Sequence, residues 1–381
     1  MVMPERRGAF LGRSVVAVAV ACAVLSSAVA CSSSGHPKPS KSVDRLAAAI
    51  AAELNSHTID DNIRAIIVQV DGRTRFERYY SSSADRSRSS FSVTKSVMST
   101  LVGIAIDEGR LHLDDRLNEM LPRQAAAMTP QVARVTLRQL LTMTGGFPDT
   151  WNATGAADPL DSAPNWTRFI LAHQDRAPGV QFHYSDYGVH LLSPILVQAS
   201  GQSVLTYARA RLFDPLGIST RPADQPRADQ AHVPEYVRAQ FAWPVDPQGF
   251  NLGAGLIKLR PRDMAKFGQL FLQAGRWHDR QVVSARWVRQ ATIAQAGKVF
   301  PSEGYGPLGS QNYGYLWWLE KVDGTDAYFA LGFGGQRIEV VPARHLVIVI
   351  STDVDLANPY AATASPEDTQ RLVTIIAPLA H

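Results

Sequence analysis

Ser90-Phe91-Ser92-Val93-Thr94-Lys95-Ser96-Val97 sets a hydroxyl and an amine three residues apart, at the start of an apolar run that continues to Ile106. Helical spacing puts the side chains of Ser92 and Lys95 on one face, so the amine can reach the hydroxyl proton. A serine hydroxyl is a poor nucleophile until a base removes that proton. A lysine can be the base only where burial or nearby cations favour its neutral form. Ser92 is the one serine in the chain with lysine at the third following position. The same residues also describe an ordinary amphipathic helix start, so the reading turns on what stands elsewhere.

Two later segments decide it. Pro178-Gly179-Val180-Gln181-Phe182-His183-Tyr184-Ser185-Asp186-Tyr187-Gly188 leads into an apolar helical run from Val189 to Val197, and Leu331-Gly332-Phe333-Gly334-Gly335-Gln336 is a glycine-rich step into a strand. In this order and at these separations the three segments resemble the Ser-x-x-Lys, Tyr-x-Asn and Lys/His-x-Gly elements of the serine β-lactamase and DD-peptidase superfamily. The likeness is strongest to class C β-lactamases, family VIII carboxylesterases and 6-aminohexanoate-dimer hydrolases. It runs from about Ile63 to about Asp353 and includes Val135 to Gly146, Gly253-Ala254-Gly255-Leu256, Pro261 to Phe267 and Tyr313 to Trp318.

The resemblance implies that Ser92 attacks an acyl carbon to form an acyl-enzyme while Lys95 and Tyr184 share the proton transfers. A phenol beside an ammonium has its anion favoured, so Tyr184 can take a proton from serine or hand one to a leaving group. Which of the two is the base in acylation stays open. Tyr187, the neighbouring tyrosine, reads as structural, and so does His183. Asp186 stands where the pattern has asparagine. An amide can donate to a substrate carbonyl, whereas a carboxylate only accepts. Asp186 could instead hold Lys95, which would favour the ammonium and shift weight towards Tyr184, or it could merely cap a helix. The tetrahedral oxygen needs fixed donors, for which the amide of Ser92 and one from the strand after the third segment, Gln336, are expected. Gly334 and Gly335 would let substrate approach the backbone. Phe333 takes the position of the lysine or histidine that helps hold a carboxylate in penicillin-recognising relatives, and a phenyl ring offers no such donor.

The chain has 381 residues and 45% hydrophobic content, enough to bury a large core. Its formal charge of +4 falls to +2 without residues 1–30, and no lysine-arginine cluster stands out, which argues against a nucleic-acid partner. Arg6, Arg7 and Arg13, the apolar run Val15 to Leu25 and small residues up to Ala30 read as a signal peptide over 1–30. Cys31 and the Ser-Gly-Pro stretch after it resemble a bacterial lipobox and tether over 31–42, which implies a lipid anchor at Cys31. The expected location is the outer face of the cytoplasmic membrane or the cell envelope, with plain secretion as the alternative. Arg6-Arg7 leaves Sec and twin-arginine export both open. Cys22 lies inside the apolar signal, so the mature chain can form no disulfide or thiolate zinc site. No histidine pair has ligand spacing on a shared face, and neither metal nor cofactor is expected.

The hydrolase domain is expected over 43–381. Ser42 to Ser56 has helical spacing of Val43, Leu46, Ile50 and Leu54. Arg64 to Val70 alternates, turns at Asp71-Gly72 and returns to Tyr80 as a hairpin. Helices and long loops fill about 110–245. Strands follow at Tyr313 to Glu320, Ala327 to Leu331, Arg337 to Val341 and Leu346 to Ser351, and a helix closes the chain at Ser365 to Leu379. Strands at both chain ends with helices between them do not make an alternating parallel pattern. They suit an α+β, β-lactamase/transpeptidase-like fold: an antiparallel sheet from both chain ends, flanked by helices, with an inserted mainly helical lobe. Gly304 to Gly309 spells a dinucleotide fingerprint, but Pro307 makes it a loop. There is no Gly-x-Ser-x-Gly elbow and no His-Glu-x-x-His. Three classes remain: a hydrolase of a small ester, amide or peptide, esterase-like in character; a DD-peptidase or β-lactamase; and an envelope lipoprotein that binds muropeptides or a partner without turnover.

Overall fold

The computed structural model describes residues 41–56, 62–148, 159–299, 312–356 and 365–380. The expected signal peptide, Cys31 and the Gly304 to Gly309 loop lie outside them. So does the expected tether, except for its last two positions, which already belong to the first helix.

That helix, α1 (Lys41–Asn55), precedes the hairpin β1 (Ile63–Val70) and β2 (Arg73–Tyr79), and β3 (Arg88–Ser89) leads into α2 (Val93–Asp107). Short helices then build the middle of the chain: α3 (Leu117–Met120), α4 (Leu137–Leu141), α5 (Trp166–Ala172), α6 (Asp186–His190), α7 (Leu192–Ser200), α8 (Val204–Ala208) and α9 (Val233–Arg238). After them come β4 (Lys258–Leu259), α10 (Pro261–Leu272), the small hairpin β5 (Arg276–Trp277) and β6 (Arg280–Gln281), and α11 (Ala285–Ala291). The chain ends in β7 (Asn312–Tyr313), β8 (Trp318–Val322), β9 (Thr325–Gly332), β10 (Gln336–Val341), β11 (Leu346–Thr352) and α12 (Pro366–Ile376).

The main sheet runs β2-β1-β11-β10-β9-β8-β7 and is antiparallel throughout. β1 pairs with β11, Ile66 opposite Ile350 and Val68 opposite Ile348, so the two chain ends meet in the interior of the sheet. The sequence pattern suggested a half-exposed β1. In the structure both faces are covered: Ile66, Val68 and Val70 pack with Leu46 and Ile50 of α1 and Leu372 and Ile376 of α12, while Ile67 joins the core that holds α2 and α10. A strand buried on both sides needs apolar residues at successive positions, which Ala65 to Val68 supply. Each such Ile or Val contributes about 1.5–3 kcal/mol by burial, so the sheet is held chiefly by what lies on its faces.

The expected single strand from Tyr313 to Glu320 is broken. Leu316 has a φ of 60°, Tyr315 N donates to Ala291 O, and Leu316 N donates to Leu141 O. The segment therefore leaves the ladder to tie α11 and α4 to the sheet, and β7 and β8 re-form on either side. The β3–β4 ladder, Arg88 with Leu259 and Ser89 with Lys258, has no sequence signal because it is only two residues long. It nevertheless sets the approach to Ser92.

Candidate active site

Ser92 is delivered by a short, heavily tied segment. Ser90 N and Ser90 Oγ both donate to Ile257 O at 2.8 Å, and Ile257 N donates to Thr94 Oγ1 at 3.2 Å. Between these ties Phe91 takes a φ of 45°, a left-handed conformation that costs a residue with a Cβ roughly 1–2 kcal/mol. The bond from Thr94 Oγ1 to Phe91 O, 2.6 Å long, helps hold that turn. Lys95 N donates to Ser92 O at 3.0 Å, closing the first turn of α2 with Ser92 as its N-cap, half-buried.

Lys95 is 1% exposed and surrounded by acceptors. Its Nζ lies 2.8 Å from Ser92 Oγ, 2.7 Å from Ala254 O and 2.5 Å from Asp186 Oδ1. A carbonyl can only accept, so one N–H is committed to Ala254, while the Asp186 carboxylate stands against the nitrogen as its ion-pair partner. The third position on nitrogen faces Ser92, where it is a donor in the ammonium and a lone pair in the amine. The geometry therefore fits a nitrogen that exchanges a proton with Ser92 while Ala254 O and the Asp186 carboxylate hold it in place.

Tyr184 lies against the same nitrogen, with Lys95 Nζ 4.9 Å from its ring centroid. Its ring also stacks on Trp318 of β8, at 5.5 Å and 11°. Tyr187 is 5% exposed and meets Phe169 edge-on, inside the helical lobe. His183 donates from its backbone to Met143 O at 2.8 Å, and burial together with Arg176 pushes its imidazole below the usual pKa. Asp186 is not the cap of α6. Ser185 is: its Oγ accepts from Gly188 N at 3.0 Å and donates to Pro148 O at 2.6 Å. Asp186 thus opens the helix one position later, with its carboxylate on Lys95.

The third segment is brought beside the first. A Cβ on Gly332 would stand 2.2 Å from Ser90 O and 3.1 Å from Phe91 Cβ, so only glycine lets β9 pass this close to the nucleophile turn. Phe333 follows, half-buried, and meets Phe91 edge to face at 5.6 Å and 66°. Gly334 and Gly335 make the turn into β10 with φ of 73° and 85°. Gln336 opens β10 opposite Gly332, but its side chain is committed elsewhere: Nε2 donates to Thr352 O at 2.8 Å and to Thr352 Oγ1 at 2.7 Å. Any donation by Gln336 to a substrate oxygen must come from its main chain.

The structure thus gathers Ser92, Lys95, Tyr184 and Asp186 at one point, with Phe333 packed on the turn that presents Ser92. It adds three groups not singled out from the sequence: the carbonyl of Ala254, Trp318 beneath Tyr184, and Phe91. Gly253 to Leu256 and Tyr313 to Trp318 were legible as segments, but a main-chain carbonyl leaves no side-chain trace. Among the described residues no group of three or more His, Cys, Asp or Glu is placed to hold a metal ion.

Comparison with known proteins gives the family and the fold. The Beta-lactamase family profile matches residues 63–372. Penicillin-binding protein 4 of Amycolatopsis lactamdurans is 28% identical over 288 residues, 71% of this chain and 72% of that protein. The 6-aminohexanoate-dimer hydrolase of Paenarthrobacter ureafaciens is 24% identical over 68% of this chain and 64% of its own. Among solved structures, a family VIII carboxylesterase superposes with a TM-score of 0.63 at 16% identity, covering 89% of this chain and 98% of the esterase. At that identity the likeness shows the fold.

Proposed function

This chain belongs to the Beta-lactamase family and is a serine hydrolase, and from that premise we propose that it cleaves small neutral esters or amides through an acyl-enzyme on Ser92. The observation that carries the reading is the 2.8 Å contact between Lys95 Nζ and Ser92 Oγ, in a pocket where Lys95 has two further acceptors and Tyr184 against it.

Ser92 Oγ attacks the acyl carbon as its proton passes to Lys95 or Tyr184. The oxygen's new charge is met by the amide of Ser92 and a main-chain donor at the start of β10. The same groups return the proton to the leaving alkoxide or amine. Water, deprotonated in turn, then releases the acid. A substrate carboxylate finds Phe333 where penicillin-recognising relatives carry a cation, which is why neutral substrates are favoured.

A DD-peptidase or β-lactamase activity is the second reading, supported by the likeness to a penicillin-binding protein over 71% of this chain. The leader and Cys31 support export and attachment to the outer face of the membrane by lipid. Intact-mass analysis after exposure to a fluorophosphonate tests the nucleophile: a single adduct is expected on the wild type and none on Ser92→Ala. Labelling that persists in Ser92→Ala would remove the assignment.

A further inference from the structure

Lys95 is held from two sides, and both supports trace to one face of α6. Asp186 and His190 are four residues apart on that helix, so their side chains point the same way. Asp186 binds Lys95 directly. His190, 3% exposed, accepts at Nδ1 from Gly253 N at 3.3 Å, and Nε2 lies 3.1 Å from Asp246 Oδ2, whose side chain is fully buried. The next residue after Gly253 is Ala254, whose carbonyl is the other fixed acceptor of Lys95.

The turn is anchored on either side of this point. Leu252 is fixed by Trp243 Nε1 and Pro244 O, and Ile257 by Ser90 and Thr94. Between them, the bond nearest Ala254 is the one from Gly253 to His190. The approach is close by design of the sequence: a Cβ on Gly253 would stand 2.7 Å from Val189 O and 3.0 Å from His190 Cα. A backbone amide can only donate, so Nδ1 must be the bare nitrogen and Nε2 must carry the hydrogen. Asp246 enforces this, because its Oδ1 accepts from Gln248 N at 2.8 Å and Phe250 N at 2.9 Å, leaving Oδ2 as an acceptor for Nε2–H.

We infer that His190, with its tautomer set by Asp246, is a positioning residue for catalysis: it holds the Gly253–Ala254 turn so that the Ala254 carbonyl orients Lys95 towards Ser92. The inference rests on the reading of Lys95 as a proton-transfer group. Neither His190 nor Asp246 touches the reacting atoms. Their effect passes through one peptide unit, whose shift would move the Ala254 carbonyl and with it the aim of Lys95 Nζ at Ser92.

Three variants separate this role from a contribution to stability alone, with kcat, KM and Tm measured on p-nitrophenyl butyrate. Asp246→Asn is nearly isosteric. Its Oδ1 stays on the two amides, its amide nitrogen donates to Nε2, the imidazole hydrogen moves to Nδ1, and the Gly253 bond becomes donor against donor. His190→Gln can reach Asp246 but offers Gly253 no acceptor. His190→Asn sets its Oδ1 near the lost Nδ1 and keeps that acceptor while abandoning Asp246. Asp246→Asn and His190→Gln are expected to lower kcat by about ten- to a hundredfold with KM nearly unchanged. His190→Asn should keep kcat within about threefold of wild type even though it loses the most in Tm. The inference is overturned if loss of kcat follows loss of Tm across the three. It is equally overturned if all three keep wild-type kcat while Lys95→Ala is inactive. A Lys95→Ala enzyme that still turns over would instead remove the reading beneath it.

Discussion

Asp186 Oδ1 stands 2.5 Å from Lys95 Nζ, a carboxylate on a lysine that is itself buried, where the resemblance leads one to expect an amide. The lysine therefore has a full negative charge on one side and the nucleophile on the other. A proton leaving Ser92 therefore enters a cluster that already holds the lysine nitrogen and a carboxylate. Tyr184, its ring against the same nitrogen, is the group at hand to receive it.

From this follows a graded mutational pattern. Lys95→Ala and Tyr184→Phe should each lower kcat for p-nitrophenyl butyrate by about two to four orders of magnitude, the range of lost acid-base groups. Tyr187→Phe should change it little, since that ring sits in the lobe against Phe169. Asp186→Asn keeps an oxygen for Lys95 and gains a donor for substrate, so it should retain far more activity than Asp186→Ala. Steady-state kinetics on the five variants reads this out. A Tyr187→Phe enzyme more damaged than Tyr184→Phe would mean the second segment has been misplaced.

A second prediction concerns stability. Arg337 is fully buried, with Nε 2.9 Å and Nη2 2.8 Å from Glu339 Oε2, Nη2 also 2.6 Å from Glu320 Oε1, and its guanidinium over the ring of Phe329 at 4.1 Å. Burial pushes the Glu339 carboxyl well above its usual range, and Arg337 pulls it back. Arg337→Met should cost about 3–5 kcal/mol because it strands a buried carboxylate. The sign of the pH dependence follows. A Glu with a folded pKa above its unfolded value holds more protons when folded, so its stabilisation is present at low pH and lost as pH rises. The deficit of Arg337→Met should therefore be larger at pH 8 than at about pH 5. Equal shifts of the urea midpoint at both values would contradict the account.

The proposed membrane attachment has its own test. Cys31 follows Ala28-Val29-Ala30 and precedes a Ser-Gly-Pro stretch, so Cys31→Ala should move the protein from the membrane fraction to the soluble one. Mass analysis of the wild-type N-terminus should find lipid on Cys31. A mature chain that begins at another residue and carries no lipid would rule the anchor out.

The sheet and the nucleophile turn were legible because they rest on local pattern. The Asp71-Gly72 turn fixed the β1–β2 hairpin, and the Ser92–Lys95 spacing needed only a helix. What stayed hidden depends on long-range placement. Nothing local says that Ala254 O will reach Lys95, 159 residues away, or that Trp318 will stack on Tyr184. Leu316 sits among the β-forming aromatics Tyr313, Tyr315, Trp317 and Trp318, yet the segment leaves the ladder there because Ala291 and Leu141 offer it hydrogen bonds. Tertiary partners there outweigh a propensity difference of about 1 kcal/mol or less.

The proposed preference for neutral substrates rests on the aromatic pair beside the nucleophile. Phe333 and Phe91 meet edge to face at 5.6 Å, a contact worth about 0.5–1.5 kcal/mol beyond burial, so the Phe333 ring is held at the turn that presents Ser92. It brings no charge to a carboxylate. A charge-assisted hydrogen bond to such a group is worth about 1.5–3 kcal/mol, so its absence should cost anionic β-lactams on the order of ten- to a hundredfold in kcat/KM. Neutral esters lose nothing by it. The wild-type enzyme should accordingly hydrolyse p-nitrophenyl acetate or butyrate measurably and nitrocefin poorly, while Phe333→Lys should raise nitrocefin turnover and leave the ester rate level or lower. Comparing kcat/KM for the two substrates on both enzymes decides between the readings: efficient nitrocefin hydrolysis by the wild type, with negligible esterase activity, would replace the ester reading with the β-lactamase one.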